Sequence, residues 1–226
     1  MTDTIRLDLH VHTRFSPDGR IDLDRLVDAL GVAGMQGAAV TDHNTVAGHA
    51  RLRALAKEFP MYRFLPGEEV STVEGHLLVY GADAPAPTRR PLAETLDWVR
   101  AQGAVAVLAH PFRFFHGVGR RIAETAPVAG IETANGHSGV IANARAELVA
   151  ARRTIGMTGG SDAHDARDVG RAFTEFPADA SSVDDLLAAL ARGRTRGSGR
   201  SLTLAQRVRL GVRTGLKRAA RGFRSI

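Results

Sequence analysis

Residues 5–12 have the sequence IRLDLHVH, a short run rich in branched apolar residues that closes on His-Val-His. Such a run is typical of a β-strand. Residues two apart in an extended chain point to the same side, so the imidazoles of His10 and His12 can both reach one metal ion. The segment therefore predicts a strand, Ile5–Val11, that ends at a metal site.

Six further short apolar runs follow along the chain, and each predicts a strand. They are Gly37–Thr41, Arg63–Pro66, His76–Tyr80, Ala104–Ala109, Val128–Glu132 and Thr154–Thr158. Between or after them lie four apolar stripes with helical spacing. The first is Leu23, Leu26, Val27 and Leu30, with Asp22 as N-cap, and the second is Leu52, Leu55 and Phe59. The third is Leu92, Leu96 and Val99, and the fourth is Leu186, Leu187 and Leu190. Seven strands alternating with helices predict an α/β barrel of parallel strands, in which catalytic groups collect where strands end.

Composition limits the alternatives. The 226 residues suit one domain with a small appendage. The chain contains no cysteine, so any metal must be bound by nitrogen and oxygen atoms. No apolar run approaches the roughly 20 residues that cross a bilayer, and the N-terminal residues do not resemble a secretory signal. We therefore expect a cytoplasmic protein without a transmembrane segment.

Imidazoles and carboxylates recur at one end of the predicted strands. The clusters are Thr41-Asp-His-Asn, Gly67-Glu-Glu-Val, His76, Ala109-His-Pro and Gly159-Gly-Ser-Asp-Ala-His. In the last of them, Asp162 and His164 again have the spacing that points two side chains the same way. A single His-x-His is often incidental, but clusters at almost every strand end favour a metal site.

The motifs resemble those of the PHP family, named for polymerase and histidinol phosphatase. They are His10-Val-His-Thr, Ser16-Pro-Asp-Gly, Thr41-Asp-His-Asn-Thr, Gly67-x-Glu-x-Ser, His76-Leu-Leu, Ala109-His-Pro and Gly160-Ser-Asp-Ala-His, in the order of the family and over about residues 5–175. The resemblance implies a distorted TIM-like (β/α)7 barrel that binds two or three divalent ions, often manganese, iron or zinc. It also implies hydrolysis of phosphate esters.

The resemblance carries over nine metal ligands, residue by residue. It implies a first ion on His10, His12, Glu69 and Asp162, a second on Glu69, His76 and His110, and a third on Asp18, His43 and His164. Glu69 is preferred to Glu68 because the family has one variable residue between the glycine and the bridging glutamate. Some members have histidine at the position of Asp18, which bears on the third ion.

This ligand set suits a phosphoesterase. Imidazole nitrogens favour manganese, iron or zinc over magnesium, and we expect Mn²⁺. An ion that is open on one side lowers the pKa of its water to roughly 7, so a hydroxide bridging two ions is the expected nucleophile. Glu69 and Asp162 would act through the ions, and Arg113 would contact the phosphate, because a guanidinium matches phosphate in a forked geometry.

Several other polar residues have two open interpretations. Arg113 is either a phosphate contact or an exposed loop arginine, and Asn135 either lies near the site, as a family position does, or occupies a turn. Asp42 either orients a ligand or caps a turn. His116 is a candidate for protonating a leaving group if its loop folds inward. His49 is expected on a helix surface, and His137 has no evident ligand partner.

The substrate classes remain open: a small phosphorylated metabolite, a nucleoside bisphosphate or the 5′ end of an oligonucleotide, as in a phosphatase or an exonuclease. Relatives acting on nucleotides carry an inserted domain between the ligands of the second ion, whereas His76 and His110 are only 34 positions apart. Alternatives are a histidinol-phosphatase-like enzyme, an amidohydrolase-type C–N hydrolase and a non-catalytic targeting module. Amidohydrolases often use a bridging lysine, yet Lys57 and Lys217 lie outside the motifs.

The C-terminal region differs in charge from the rest of the chain. Of the 30 basic and 24 acidic residues, 11 basic and no acidic ones lie from Arg192 to Ile226, which leaves a net charge of −5 in residues 1–191. We expect a PHP domain over residues 1–191, then a flexible linker over Arg192–Ser201 and a basic amphipathic helical tail that ends at residue 226. The tail would bind anionic lipid, nucleic acid or the acidic body of the protein.

Overall fold

The computed structural model describes residues 4–203 and residue 206. Nine strands alternate with six helices: β1 (Thr4–Val11), α1 (Leu23–Ala33), β2 (Gly37–Val40), α2 (His49–Glu58), β3 (Arg63–Ser71), β4 (His76–Tyr80), α3 (Leu92–Ala101), β5 (Val105–Leu108), α4 (Gly119–Thr125), β6 (Gly130–Asn135), α5 (Val140–Arg153), β7 (Gly156–Gly160), β8 (Ala172–Pro177), α6 (Val183–Ala191) and β9 (Arg196–Gly199). A short 3₁₀ helix, Ala166–Asp168, lies between β7 and β8. All seven predicted strands and all four predicted helices are present.

The strands form one sheet that curls into a nearly closed barrel. Its order is β7-β6-β5-β4-β3-β2-β1-β8-β9. The two ends of the sheet approach each other, because Ala163, just after β7, pairs with Val11 of β1. In addition, the Gly159 N–H donates to the Thr174 hydroxyl of β8 at 2.8 Å. The predicted distorted (β/α)7 barrel is confirmed.

The sheet departs from the prediction in two respects. β4 is antiparallel to both β3 and β5, and β8 is antiparallel to β1, so the expectation of uniformly parallel strands was wrong. Because β4 runs backwards, its first residue, His76, lies at the same end of the barrel as the last residues of the parallel strands. The reversal therefore keeps the polar clusters together.

The expected flexible linker contains a strand. β9 pairs antiparallel with β8, with Phe173 opposite Ser198 and Thr174 opposite Gly197. The linker over Arg192–Ser201 was therefore wrong in this part, because Gly and Ser here serve close backbone packing rather than flexibility. The division of the chain after residue 191 stays a prediction, and the predicted tail helix lies almost entirely outside the described residues.

Capping residues in the sequence fix the ends of several helices. Asp22 caps α1 by accepting from the Asp24 N–H, and Gly34 ends the helix in the left-handed conformation at φ 66°. Ser182 and Asp185 form a capping box at the start of α6. These caps set where each helix leaves the barrel and returns to it.

An apolar cluster fills the barrel below the polar clusters. It joins residues of β1, β2, β3, β4, β5, β8 and α6, among them Leu7, Leu9, Leu65, Leu78 and Tyr80. The buried Tyr80 hydroxyl donates to the Leu9 carbonyl at 2.8 Å. Leu187 of α6 packs against Gly81, at the end of β4 remote from His76. Thus α6 lies toward the end of the barrel opposite the histidines. Among the described residues, no helix is long and apolar enough to cross a membrane.

Candidate metal centre

All nine predicted ligands lie at one end of the barrel. They sit at the end of β1 (His10, His12), in the loop after it (Asp18), after β2 (His43), within β3 (Glu69), at the start of β4 (His76), after β5 (His110) and after β7 (Asp162, His164). The structure brings side chains separated by some 150 positions in sequence to one place, as the family resemblance implies.

The carboxylate of Glu69 lies at the centre of this group. One oxygen, Oε2, is 3.2 Å from the Nε2 atoms of His10 and His12. The Nδ1 atom of His43 is also 3.2 Å from Oε2. The other oxygen, Oε1, is 2.7 Å from His76 Nδ1 and 3.0 Å from His110 Nε2. The two oxygens thus face two groups of imidazoles, which is the arrangement that a bridging carboxylate requires.

Asp162 and Asp18 supply the remaining carboxylates. Asp162 Oδ1 is 3.4 Å from His12 Nε2 and 3.7 Å from His164 Nδ1. Asp18 Oδ2 is 2.9 Å from His164 Nε2 and 3.6 Å from His43 Nε2. Several sets of these residues have ligand atoms close enough to hold an ion. One set is His10, His12 and Glu69. A second is His43, Glu69 and His76, and a third is His12, Asp18, His43 and His164.

Buried imidazole nitrogens without a hydrogen-bond partner indicate whether a cation fits between these side chains. His10 Nε2, His12 Nε2 and His43 Nδ1 are buried and make no hydrogen bond, although each faces Glu69. Buried polar atoms are otherwise almost always paired, because leaving one unpaired costs about 1–3 kcal/mol. Aromatic nitrogens that converge on a carboxylate without hydrogen bonds are suited to share a positive ion with it. The donor set therefore fits divalent metal.

The electrostatics of the cluster favour bound positive charge. Burial opposes ionisation of Glu69, but the imidazoles of His10 and His76 outweigh it and hold the pKa of the carboxyl well below its ordinary value. Burial also opposes charge on His12, yet the nearby carboxylates of Asp162 and Glu69 raise its pKa to about 9. Burial lowers the pKa of His43 to about 4, which keeps that imidazole neutral and able to ligate.

Two of the nine residues have a strained backbone. His110 has a backbone φ of 26° and Asp162 a φ of 57°, values that residues other than glycine rarely adopt. His110 is further restricted because it precedes Pro111. Such strain concentrates at functional sites, where the surrounding structure holds it in place.

Two family models match the sequence. One, described as the PHP domain, matches residues 8–89, and one described as PHP-associated matches residues 140–195, so together they span more than half of the chain. The chain belongs to the PHP family. The PHP-domain match contains six of the nine converging residues, from His10 to His76.

One curated relative is similar in sequence, and two solved structures are similar in fold. The uncharacterized protein MJ1587 of Methanocaldococcus jannaschii is 28% identical over 118 residues, which are 48% of this chain and 68% of that protein. A two-domain protein from Bacteroides vulgatus that contains a predicted PHP-like metal-dependent phosphoesterase superposes with a TM-score of 0.74 at 20% identity, over 88% of this chain and 65% of that one. An amidohydrolase from Chromobacterium violaceum with bound sulfate has a TM-score of 0.64 at 21% identity, over 81% of this chain and 96% of that one.

Glu132 is a part of this PHP site that the sequence did not reveal. Its Oε1 accepts from His10 Nδ1 at 2.9 Å, which directs His10 Nε2 toward Glu69. Its Oε2 accepts from the His110 backbone N–H at 2.8 Å and from the Asn135 amide at 3.0 Å. Glu132 therefore orients two candidate ligands, His10 through its ring and His110 through its backbone.

We expect Glu132→Gln to weaken metal binding about 10- to 100-fold, because partners behind the ligands set the imidazole tautomer. An amide can still accept from His10, but it carries no charge to stabilise the polarised ring. Titration of the metal-free protein with Mn²⁺, followed by calorimetry, measures this effect. Glu147→Gln on the exposed face of α5 is the matched control and should bind as the unmodified protein does. Equal affinity of the two variants would contradict the assigned role.

Arg113 and Asn135 both lie at the site. The Arg113 Nη2 donates to Asp162 Oδ2 at 2.5 Å and to Asn135 Oδ1 at 3.1 Å, so Arg113 is not a freely exposed loop residue. Burial tends to lower the pKa of the Arg113 guanidinium, but the charge of Asp162 outweighs burial and raises it. Asn135 also donates to Asp162 Oδ2 at 3.3 Å. The two residues thus hold Asp162 from the side opposite its imidazole neighbours.

The remaining polar residues divide between site and scaffold. Asp42 accepts from the backbone and hydroxyl of Thr13, both at 2.6 Å, so it fixes the turn after β1. His116 stacks on the ring of His76 with centroids 4.6 Å apart. His137 lies close enough to Asp162 and His164 to join them in holding an ion. The surface position expected for His49 was wrong, because His49 is buried and its Nε2 lies 2.9 Å from the Gly67 carbonyl oxygen.

Proposed function

We propose that this PHP chain is a metal-dependent phosphoesterase that uses two or three divalent ions, Mn²⁺ first and Fe²⁺ or Zn²⁺ as alternatives. The observation that carries the proposal is the position of Glu69, whose two oxygens face two separate groups of imidazoles. A carboxylate shared in this way can hold two ions side by side. The name of the Bacteroides vulgatus protein supports the same class of reaction.

Each group of residues has a distinct task in this proposal. His10, His12 and Asp162 would hold the first ion with Glu69, whereas His76 and His110 would hold the second, and Asp18, His43 and His164 would hold the third. When bound, such ions supply an activated water and offset charge on a phosphate. Arg113 would bind a phosphate oxygen, because 27% of its side chain is exposed while Nη2 stays anchored on Asp162.

The connection between β4 and β5 bears on the size of the substrate. Residues 81–104 contain α3 and otherwise only loops. No inserted domain therefore covers the site from this side. This supports a small phosphorylated metabolite ahead of a nucleoside bisphosphate or an oligonucleotide 5′ end.

A hydrolysis screen tests the proposal. The Mn²⁺-loaded protein would be assayed on small phosphomonoesters, nucleoside bisphosphates and 5′-phosphorylated oligonucleotides, with metal content measured in parallel. We expect phosphate release that requires Mn²⁺ and disappears in His110→Ala. Release that persists undiminished in metal-free protein would contradict it.

A hydrolase of C–N bonds is the second candidate, because the Chromobacterium violaceum neighbour is named an amidohydrolase. Lys57 belongs to α2 and is not among the residues that converge on Glu69. Lys217 lies outside the described residues. The described part of the site thus offers no lysine to bridge two ions. Amide and lactam substrates belong in the same screen, and turnover of these alone would favour the second candidate.

We expect Arg113→Lys to raise the KM for a phosphate ester about 10- to 100-fold with little change in metal content. A lysine keeps the positive charge but loses the forked donor geometry that matches phosphate. Steady-state kinetics of the Mn²⁺-loaded enzyme separate KM from kcat. Arg152→Lys, an exposed change near the end of α5, is the matched control. An unchanged KM in Arg113→Lys would remove the phosphate contact from the proposal.

A further inference from the structure

His137 is a further imidazole at the metal centre, outside the nine residues that the sequence motifs identified. It lies in the loop between β6 and α5, and its side chain is 14% exposed. Its ring stacks on that of His164 with centroids 5.8 Å apart. Ligand atoms of His137, Asp162 and His164 lie within 4.8 Å of one another. Two imidazoles and one carboxylate at this separation suit a divalent first-row transition metal.

The loop that carries His137 is fixed to the metal centre by Asn135. The His137 N–H donates to Asn135 Oδ1 at 3.0 Å, and the Ser138 N–H donates to the Asn135 carbonyl at 3.2 Å. The amide of Asn135 in turn donates to Asp162 Oδ2 at 3.3 Å. The backbone of His137 is therefore held at a set distance from Asp162.

A carboxylate lies beside His137, as Glu132 lies beside His10. Asp168 ends the 3₁₀ helix between β7 and β8, and its Oδ2 is 3.9 Å from His137 Nε2. Its other oxygen, Oδ1, is 3.6 Å from Nη1 of Arg171, which holds the carboxylate in place. Histidines that bind metal commonly have a carboxylate partner that orients the ring and raises its basicity. His137 thus has the surroundings of a metal ligand.

The set that contains His137 shares only His164 with the three residues assigned to the third ion. We call His137, Asp162 and His164 the His137 position, and Asp18, His43 and His164 the Asp18 position. His164 faces the two carboxylates with different nitrogens, because Nε2 is 2.9 Å from Asp18 Oδ2 and Nδ1 is 3.7 Å from Asp162 Oδ1. A neutral imidazole has one nitrogen with a free lone pair. His164 can therefore serve only one position at a time.

We propose that the third ion has two alternative positions in this protein, the Asp18 position and the His137 position. Each position contains one carboxylate besides the shared imidazole, so each can offset part of the charge of a dication. The binding constants of two mutually exclusive positions add, and removal of one leaves the ion in the other. The inference rests on the metal centre of the proposed function, but not on the reaction that the centre catalyses.

Counting bound Mn²⁺ in single and combined variants tests the proposal. Asp18→Ala removes the carboxylate of the Asp18 position, and His137→Gln removes an imidazole from the His137 position. We expect each single variant to bind as many ions as the unmodified protein, and the combined variant to bind one ion fewer per chain. Elemental analysis after equilibrium dialysis against Mn²⁺ gives the count without any turnover.

Two results of this count would overturn the proposal. Loss of an ion in either single variant would show that the remaining position does not suffice, and an unchanged count in the combined variant would show that His137 holds no ion. Mn²⁺ binding that is absent even from the unmodified protein would overturn the whole metal centre, and the proposed function with it. Thermal unfolding without Mn²⁺ checks the fold of each variant, and His137→Asn replaces His137→Gln if the latter unfolds.

The carboxylate beside His137 allows a second measurement. In the Asp18→Ala protein, where the third ion depends on the His137 position, Asp168→Asn should weaken the binding of that ion about 10- to 100-fold in calorimetric titration. Asp179→Asn in the same protein is the matched control and should leave the affinity unchanged. Asp179 is exposed and follows β8, whose last residue, Pro177, pairs with Thr4 at the opposite end of the barrel. Equal affinities of the two variants would overturn the proposal.

Discussion

Replacing Glu69 by glutamine is expected to lower kcat/KM by at least about three orders of magnitude, equivalent to about 4 kcal/mol of transition-state stabilisation. The side chain keeps its size, but one of its two oxygens becomes an NH₂ group that cannot ligate. Because Oε1 and Oε2 face different groups of imidazoles, the change disrupts two proposed ion sites at once. Steady-state kinetics and elemental analysis of the purified variant measure both consequences.

The neighbouring glutamate provides the matched control for this experiment. Glu68 points away from the imidazoles, and its Oε2 accepts from the Ala86 N–H at 2.9 Å. Glutamine retains that acceptor, so Glu68→Gln should keep kcat/KM within about twofold of the unmodified enzyme, as expected of a change remote from the reacting groups. Loss of activity in Glu68→Gln with full activity in Glu69→Gln would reverse the assignment of the bridging residue.

The sequence identified the strands and the converging residues because both depend on short-range patterns. Apolar runs of four to seven residues marked β1 to β7, and ligand-type residues recurred where those runs ended. The barrel topology then brings those ends together. Glu69 lies among the imidazoles where the motif spacing placed it, whereas the residue before it faces the opposite side of β3, since successive side chains alternate along a strand.

An irregularity in β6 explains why the sequence did not reveal the role of Glu132. Between Glu132 and Ala134, β6 has one residue more than β7, whose partners there are Thr158 and Gly159. This irregularity allows Glu132 and Asn135, which are three positions apart, to touch each other. Regular alternation would have placed them on opposite faces. A similar shift occurs in β1 between Asp8 and Val11, the interval that contains His10. Neither shift has a signal in the sequence.

The sequence did not predict β9, and the reason differs from the one for Glu132. Its sequence, RGSG, contains no apolar side chain, and its place in the sheet comes from backbone pairing with β8. A Cβ atom on Gly197 would lie 2.3 Å from the Thr158 carbonyl oxygen of β7. Glycine here permits β9 to pass close to β7 as the barrel closes. The same residue type indicates a linker when only the local composition is known.

Mn²⁺ is expected to raise the thermal unfolding temperature of the chelator-treated protein by roughly 5–10 °C for each tightly bound ion. An ion present at about 100 times its Kd adds about 2.7 kcal/mol to the free energy of unfolding. For a chain of this size, each kcal/mol corresponds to about 2–4 °C. The physical source is the buried imidazole nitrogens of His10, His12 and His43, which make no hydrogen bond among the described residues. Differential scanning calorimetry over a range of Mn²⁺ concentrations measures the shift.

The two glutamate variants separate specific binding from a general effect of salt. Glu68→Gln leaves the cluster intact and should show the full rise in unfolding temperature, whereas Glu69→Gln should show little or none. Because the carboxylate that offsets the imidazole charge is then missing, Glu69→Gln should also favour neutral imidazoles in the metal-free state. A rise of equal size in both variants would mean that Mn²⁺ stabilises the protein at some other place, and the nine converging side chains would lose their assigned purpose even if the enzyme remained active.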